Sequence, residues 1–215
     1  MREKVGMLVG SIILAGGRSR RMGKPKESLP FGDTTLLGRT AGILMDCTWP
    51  VVVVGRGQDQ ELPPLPIEVH VLADEDPGGG PLQAMATALR FLLADGELGP
   101  DDAVFVTGCD APFATPEAIG WLAARLGDAT VAMPKANGRL QPLSALYRCR
   151  VLKTIEDLLR QGVDTPRTIA EKVQSVILEE RDLLRFDPEL RFLTGINTPE
   201  EYEAALARAR DRAGS

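Results

Sequence analysis

The chain has 215 residues, 44% hydrophobic and 26% charged, a composition that supports a buried core and excludes the disordered and fibrous classes. Its formal charge of −5 excludes a general nucleic-acid binder, because a phosphate backbone selects a basic surface, so any anion site must be local. Three scattered cysteines (Cys47, Cys109, Cys149) and a single histidine, His70, exclude a zinc ribbon or a disulfide framework as the organising principle.

In chain order, short apolar runs alternate with longer amphipathic ones, the pattern of βα units. Strands are expected over residues 11–14, 51–54, 67–72, 103–107 and 130–133. Their nearly continuous apolar character implies cover on both faces. Between them, helices are expected over 36–46, 81–94 and 116–126, the last opened by Thr115 as cap and Pro116 in the first turn. The pattern continues with a strand over 143–147, a helix over 151–161 and a strand over 175–178. The final helix, over 202–212, follows Thr198-Pro199-Glu200-Glu201, which places acids in the first turn and arginines in the last, as the helix dipole favours. There is no internal repeat, and Pro63-Pro64-Leu65-Pro66 is too short to divide domains. The expectation is one α/β domain over 1–215, a Rossmann-like three-layer sandwich with a mainly parallel central sheet. No run approaches the roughly 20 apolar residues of a membrane span, and residues 1–6 lack a signal-peptide core. A cytoplasmic protein with no membrane partner is expected.

The first strand runs into Leu14-Ala15-Gly16-Gly17, where missing side chains let backbone N–H groups approach an anion. Arg18, Arg20, Arg21, Lys24 and Lys26 follow, five cations within nine positions of an acidic chain. By themselves these residues fit a triphosphate cradle or a tight turn followed by a solvated basic loop. The segment is not a Walker A motif, which needs Gly-Lys-Ser/Thr after its glycines, and not the GxGxxG dinucleotide fingerprint. Asp110 follows the apolar strand 103–107 and so lies near a strand's carboxyl end, where open α/β sheets bind ligands. A hard carboxylate there suits magnesium, and Asp-x-Pro also suits a turn. Cys109 beside it is not expected to be a nucleophile: a reactive thiolate needs a nearby base or cation, and the only histidine, His70, reads as a structural residue of the strand 67–72.

Leu14-Ala15-Gly16-Gly17, then Ser19-Arg20-Arg21-Met22-Gly23, Lys26 and Leu29-Pro30-Phe31-Gly32 resemble the N-terminal signature of the MobA-like nucleotidyltransferases, which include the molybdenum cofactor guanylyltransferases. Further pieces resemble that family in the right order: Asp74 ahead of Gly80-Pro81-Leu82, Cys109-Asp110-Ala111-Pro112, Gln141-Pro142-Leu143 and Asn197-Thr198-Pro199-Glu200-Glu201. The resemblance spans residues 12–202. It implies transfer of GMP from GTP to molybdopterin, with Lys26 and Asp110 as catalytic residues. It also implies nucleotide binding by Leu14, Ala15, Gly16, Gly17, Lys26, Asp74 and Asp110, and Mg2+ on Asp110. GTP and the pterin cofactor are the implied partners, with maturation proteins of molybdenum enzymes as further ones, and the protein is expected to be a monomer or a weak homo-oligomer.

Two positions depart from the pattern: Gln83-Ala84 stands where the family usually has Ala-Gly, and Gln141 stands where guanylyltransferases often carry histidine or a similar polar residue. Gly16 favours guanylyl over cytidylyl transfer, since the cytidylyl relatives usually read Leu-Ala-Ala-Gly. A sugar-phosphate nucleotidyltransferase and a non-catalytic nucleotide-binding adaptor are the remaining alternatives. Asn197 is expected to cap the last helix, and Asp74 either touches the nucleotide or orders the Gly78-Gly79-Gly80 turn.

Overall fold

The computed structural model describes residues 6–17, 24–57, 59–76 and 78–213. The chain begins with β1 (Val9–Leu14) and continues, beyond the first loop, through a small hairpin, β2 (Pro30–Phe31) and β3 (Thr34–Thr35), into α1 (Leu36–Met45). Then come β4 (Val51–Gly55), β5 (His70–Ala73), α2 (Gly80–Asp95), β6 (Ala103–Gly108) and α3 (Pro116–Leu126). The second half adds β7 (Val131–Ala136), β8 (Arg139–Leu140), β9 (Ser144–Arg148), α4 (Leu152–Arg160), α5 (Ile169–Lys172), β10 (Ser175–Leu178), α6 (Glu180–Phe186) and α7 (Pro199–Ala213). Eight strands form one sheet in the order β10-β7-β9-β6-β1-β4-β5, with β8 hydrogen-bonded to β7. The path is parallel except at β9, which runs antiparallel to both β6 and β7, and β8 is likewise antiparallel to its neighbour.

Successive strand residues point to opposite faces, and here both faces are apolar. Ile13, Val51, Val53 and Phe105 pack with α1 and α3 on one side. Ile12, Val52, Val54, Val104 and Val106 pack with α2 and α4 on the other. These near-continuous Val/Ile runs are therefore what makes the architecture three-layered. A smaller third cluster, with Leu29, Phe31, Phe113, Ile196 and Ala205, lies where α7 meets the β2–β3 hairpin.

Most expected elements form within a residue or two of their expected ends. The expected strand over 67–72 is a correction: it starts only at His70. The amide of Val69 is taken by a turn to the Pro66 carbonyl (3.1 Å), and Ile67 is 96% exposed. His70 lies in the strand as expected, against Phe91 (5.0 Å between ring centres). The β2–β3 hairpin, α5 and α6 are absent from the sequence reading because each is too short to show a period. Thr115 does cap α3, accepting from the Ala118 amide (3.2 Å). Of the expected basic run from Arg18 to Lys26, residues 18–23 lie outside the described residues, and of its five cations Lys24 and Lys26 are described.

Candidate functional site

The chain places β4 and β5 on one side of β1 and then returns to place β6 on the other. The crevice at the carboxyl ends of β1 and β6 is thus the point where the direction of strand addition reverses, the position at which open α/β sheets bind ligands. Leu14 pairs with Gly108 at these two ends, and the Cys109 amide donates to the Leu14 carbonyl (3.1 Å). The loop 15–17 and the loop carrying Asp110 therefore leave the sheet side by side.

Lys26 enters this crevice from a 3-10 turn, Lys26–Ser28. Its Nζ lies 2.8 Å from Asp110 Oδ2 and 2.9 Å from Asn197 Oδ1, joining residues far apart in sequence. Both charged side chains are largely but not fully covered, Lys26 at 14% and Asp110 at 24% exposure. Gly108 makes room for the carboxylate: a Cβ there would come within 2.5 Å of Asp110 Oδ1.

Asn197 reaches the site because the segment before α7 is strapped across it. The Ile196 amide donates to the Asp110 carbonyl (3.0 Å), Ile196 is fully buried, and the Tyr202 hydroxyl donates to the Pro30 carbonyl. The expectation that Asn197 caps α7 is corrected here. Thr198 Oγ1 accepts from the Glu201 amide (3.2 Å), while Glu201 Oε2 accepts from the Thr198 amide (3.1 Å), a reciprocal capping box that leaves the Asn197 side chain to Lys26.

Of the residues singled out in the sequence, Leu14, Ala15, Gly16, Gly17, Lys26 and Asp110 gather at this crevice. Asp74 stands apart at the end of β5, on the same edge of the sheet but two strands from β1. Its carboxylate accepts from the Asp76 amide (3.2 Å), turning back on its own loop, and partial burial raises its pKa above the ordinary carboxylate value. Gln141 braces the β7–β8 turn, donating to the Arg139 carbonyl (3.3 Å). Ala84, the residue in place of the family glycine, is buried inside the first turns of α2. The Cys109 thiol is pushed far above the ordinary thiol range, first by burial and then by Asp110, so it is not a nucleophile at neutral pH.

Sequence reasoning missed the supports. Glu27, beside Lys26, is 1% exposed, and Gln60 Nε2 donates to it and to the Ala15 carbonyl (2.9 Å). Nothing in a basic, polar stretch announces a buried glutamate. Gly108 carries no signal of its own either, since its steric role depends on how the carboxylate two residues later folds back.

Among the described residues no group of three or more His, Cys, Asp or Glu side chains could hold a metal ion. Magnesium asks for less, taking one or two protein carboxylates and completing its octahedron with water and substrate phosphates. Asp110 fits that demand. No helix among the described residues is long and apolar enough to cross a membrane.

Comparison with known proteins places the chain among relatives. The model of the MobA-like NTP transferase domain matches residues 11–176. A protein of Mycolicibacterium paratuberculosis named "Probable molybdenum cofactor guanylyltransferase" is 36% identical over 212 residues, covering 95% of this chain and 98% of the relative. One of the same name from Mycobacterium tuberculosis is 37% identical over 207 residues, covering 94% and 95%. Among solved structures, the molybdopterin-guanine dinucleotide biosynthesis protein A of Archaeoglobus fulgidus superposes with a TM-score of 0.75 at 22% identity, covering 95% of this chain and all of that one. The 2-C-methyl-D-erythritol 4-phosphate cytidylyltransferase of Thermus thermophilus gives 0.66 at 17% identity, covering 94% and 100%. These two likenesses speak to the fold.

Proposed function

The chain belongs to the MobA-like NTP transferase family, an enzyme family, and from that premise we propose that it transfers GMP from GTP to the terminal phosphate of molybdopterin, in the cytoplasm. The observation that carries the reading is the meeting of Lys26, Asp110 and Asn197 beside the Gly16-Gly17 loop. A cation, a metal-competent carboxylate and a backbone loop converge where a triphosphate can lie along the carboxyl edge of the sheet. A Cβ at Gly17 would meet no described atom within 4 Å. Among the described residues nothing demands glycine there, which fits a loop whose constraint comes from the ligand side.

In the proposed reaction an acceptor phosphate oxygen forms a bond to the α-phosphorus of GTP, the bond from that phosphorus to the bridging oxygen breaks, and pyrophosphate leaves with the electron pair. The attacking oxygen is already anionic, so no protein nucleophile or general base is needed, consistent with the protonated, buried Cys109. Lys26 stabilises the charge that builds on the phosphate oxygens, Asn197 holds its ammonium in place, and Gly16 and Gly17 offer backbone amides. Magnesium on Asp110, when bound, would neutralise phosphate charge and order the triphosphate.

The curated relatives favour guanine, while the Thermus fold neighbour is a cytidylyltransferase. A thermal-shift panel with the magnesium complexes of GTP, CTP, ATP and UTP decides the base, since a ligand that binds only the folded state raises the unfolding midpoint. GTP is expected to give the largest shift, and a preference for CTP would overturn the guanylyl assignment. Pyrophosphate release on adding molybdopterin then tests the acceptor; binding of GTP without turnover would favour the adaptor reading.

A further inference from the structure

We propose that Gln60 is a positioning residue, acting with the buried Glu27 as a clamp that holds the Gly-rich loop in its anion-binding orientation; this rests on the nucleotidyltransferase reading of the site. Glu27 occupies the middle of the 3-10 turn that carries Lys26. Adjacent residues of such a turn point about 120° apart, so while Lys26 reaches Asp110, Glu27 is directed inward, its side chain 2% exposed. A buried carboxylate is costly unless hydrogen-bonded and paired. Gln60 Nε2 meets Glu27 Oε1, and the Arg56 guanidinium stands 3.9 Å from the same oxygen.

The amide of Gln60 is used from both sides. Its nitrogen also donates to the Ala15 carbonyl (2.9 Å), and its oxygen accepts from the Arg56 amide (2.5 Å). The orientation is dictated by these partners: the flipped amide would set oxygen against two acceptors and nitrogen against a donor. One side chain thereby ties together the end of β4, the Gly-rich loop and the turn of Lys26.

The functional consequence lies in the peptide unit between Ala15 and Gly16. In a planar trans peptide the carbonyl and the following N–H point in opposite directions. Holding the Ala15 carbonyl toward Gln60 therefore aims the Gly16 N–H the other way, away from the clamp. Gly16 is backed by Arg56, whose Cα would lie 3.5 Å from a Cβ at that position, so the loop is seated against β4 on the clamp side. Without the clamp the Ala15–Gly16 peptide is free to rotate and present a carbonyl, which repels phosphate, where a donor is needed.

The test uses the full-length protein and the variants Gln60→Ala, Gln60→Glu, Glu27→Ala and the Gln60→Ala/Glu27→Ala double. The measurements are the dissociation constant of magnesium-GTP, pyrophosphate release with molybdopterin, and the unfolding midpoint without ligand. Gln60 is only partly buried, so its variants are expected to fold. Gln60→Ala is expected to weaken nucleotide binding and lower kcat by roughly tenfold or more, the scale of losing one preorganised donor, with a nearly unchanged unfolding midpoint. Gln60→Glu keeps the side-chain shape and the bond from the Arg56 amide but faces Ala15 and Glu27 with oxygen, so it is expected to bind at least as poorly. If the two residues act as one clamp, the double variant loses no more than the worse single one; losses that multiply would overturn the coupling. Wild-type nucleotide affinity in both Gln60 variants would overturn the proposal. Failure of the wild type to release pyrophosphate would count against the proposed reaction alone, because the nucleotide-binding comparison still tests the clamp.

Discussion

The two ends of the central sheet treat their polar groups in opposite ways. At the amino end they are consumed by the protein: the buried Asp102 accepts from the amides of Leu8 (3.1 Å) and Gly99 (2.7 Å). There Arg148 donates to the carbonyls of Ala129 (3.0 Å), Asp101 and Gly127, and Arg150 binds Asp101 (2.8 Å) and the Asp128 carbonyl (2.8 Å). At the carboxyl end, Lys26, Asp110 and Asn197 satisfy one another around a crevice that remains partly open. One end is cross-linked by hydrogen bonds within the protein, and the other keeps charged groups around a partly open crevice, where the proposed triphosphate would bind. Substitutions at the two ends should separate accordingly, into losses of activity without unfolding and losses of stability without a change in chemistry.

The largest effect is expected from Asp110→Asn. It keeps the side-chain shape and an oxygen for Lys26 but removes the charge on which the proposed magnesium site rests, so turnover should fall by roughly a hundredfold or more while the unfolding midpoint stays within a few degrees. A variant that turned over magnesium-GTP at the wild-type rate would remove Asp110 from the mechanism. Next is Gly108→Ala. The new Cβ would fall 2.5 Å from Asp110 Oδ1, and because that atom ends a mobile side chain, the carboxylate should move and the fold should stay. About tenfold of activity should be lost by misplacement of this carboxylate, with normal melting; full activity would mean that the exact seat of the carboxylate is unimportant.

This division also explains what could be read from sequence. The sheet was legible because Val51 to Val54 and Ala103 to Val106 are apolar at every position, which only a strand covered on both faces requires. Lys26 and Asp110 were legible through their motifs and through Asp110 lying just beyond a strand. Their partnership with Asn197 was not, because it depends on α7 folding back against Phe31 and Phe113, a packing event with no local signal. The same is true of Glu27 and Gln60, whose importance comes from burial decided elsewhere in the fold. Asp74 is the reverse case: its motif marks it, and the sheet order puts it on the same carboxyl edge two strands from β1, a relation that no local pattern shows.

At the amino end, Arg148→Met should leave three carbonyls without their donor; those of Asp101 and Gly127 belong to exposed residues and can turn to water, so the loss falls mainly on the part-buried Ala129 carbonyl. About 1–2 kcal/mol of stability is expected to go, seen as a midpoint a few degrees lower, with kcat and the nucleotide dissociation constant unchanged below the melting range. A loss of activity larger than the unfolded fraction accounts for would show that the two ends communicate.

The smallest effect concerns two neutral groups buried within this otherwise polar scheme. Burial raises the pKa of the Cys109 thiol and of the Tyr147 phenol well above their ordinary values, the latter while its hydroxyl donates to the Pro142 carbonyl (2.8 Å). In the unfolded chain these groups lose their protons near about pH 8.5 and 10, whereas in the folded chain they hold them. Their contribution to stability is therefore complete below the unfolded values and is lost as pH rises above them, each adding a slope of up to about 1.4 kcal/mol per pH unit. Denaturant unfolding should accordingly show stability declining from about pH 8.5 and more steeply above 10. Tyr147→Phe should cost about 1 kcal/mol at neutral pH through the lost hydrogen bond and flatten only the steeper part of the decline. An unchanged alkaline slope in Tyr147→Phe would mean that the phenol ionises in the folded protein as well, and that this end of the sheet admits water more deeply than the packing around Tyr147 allows.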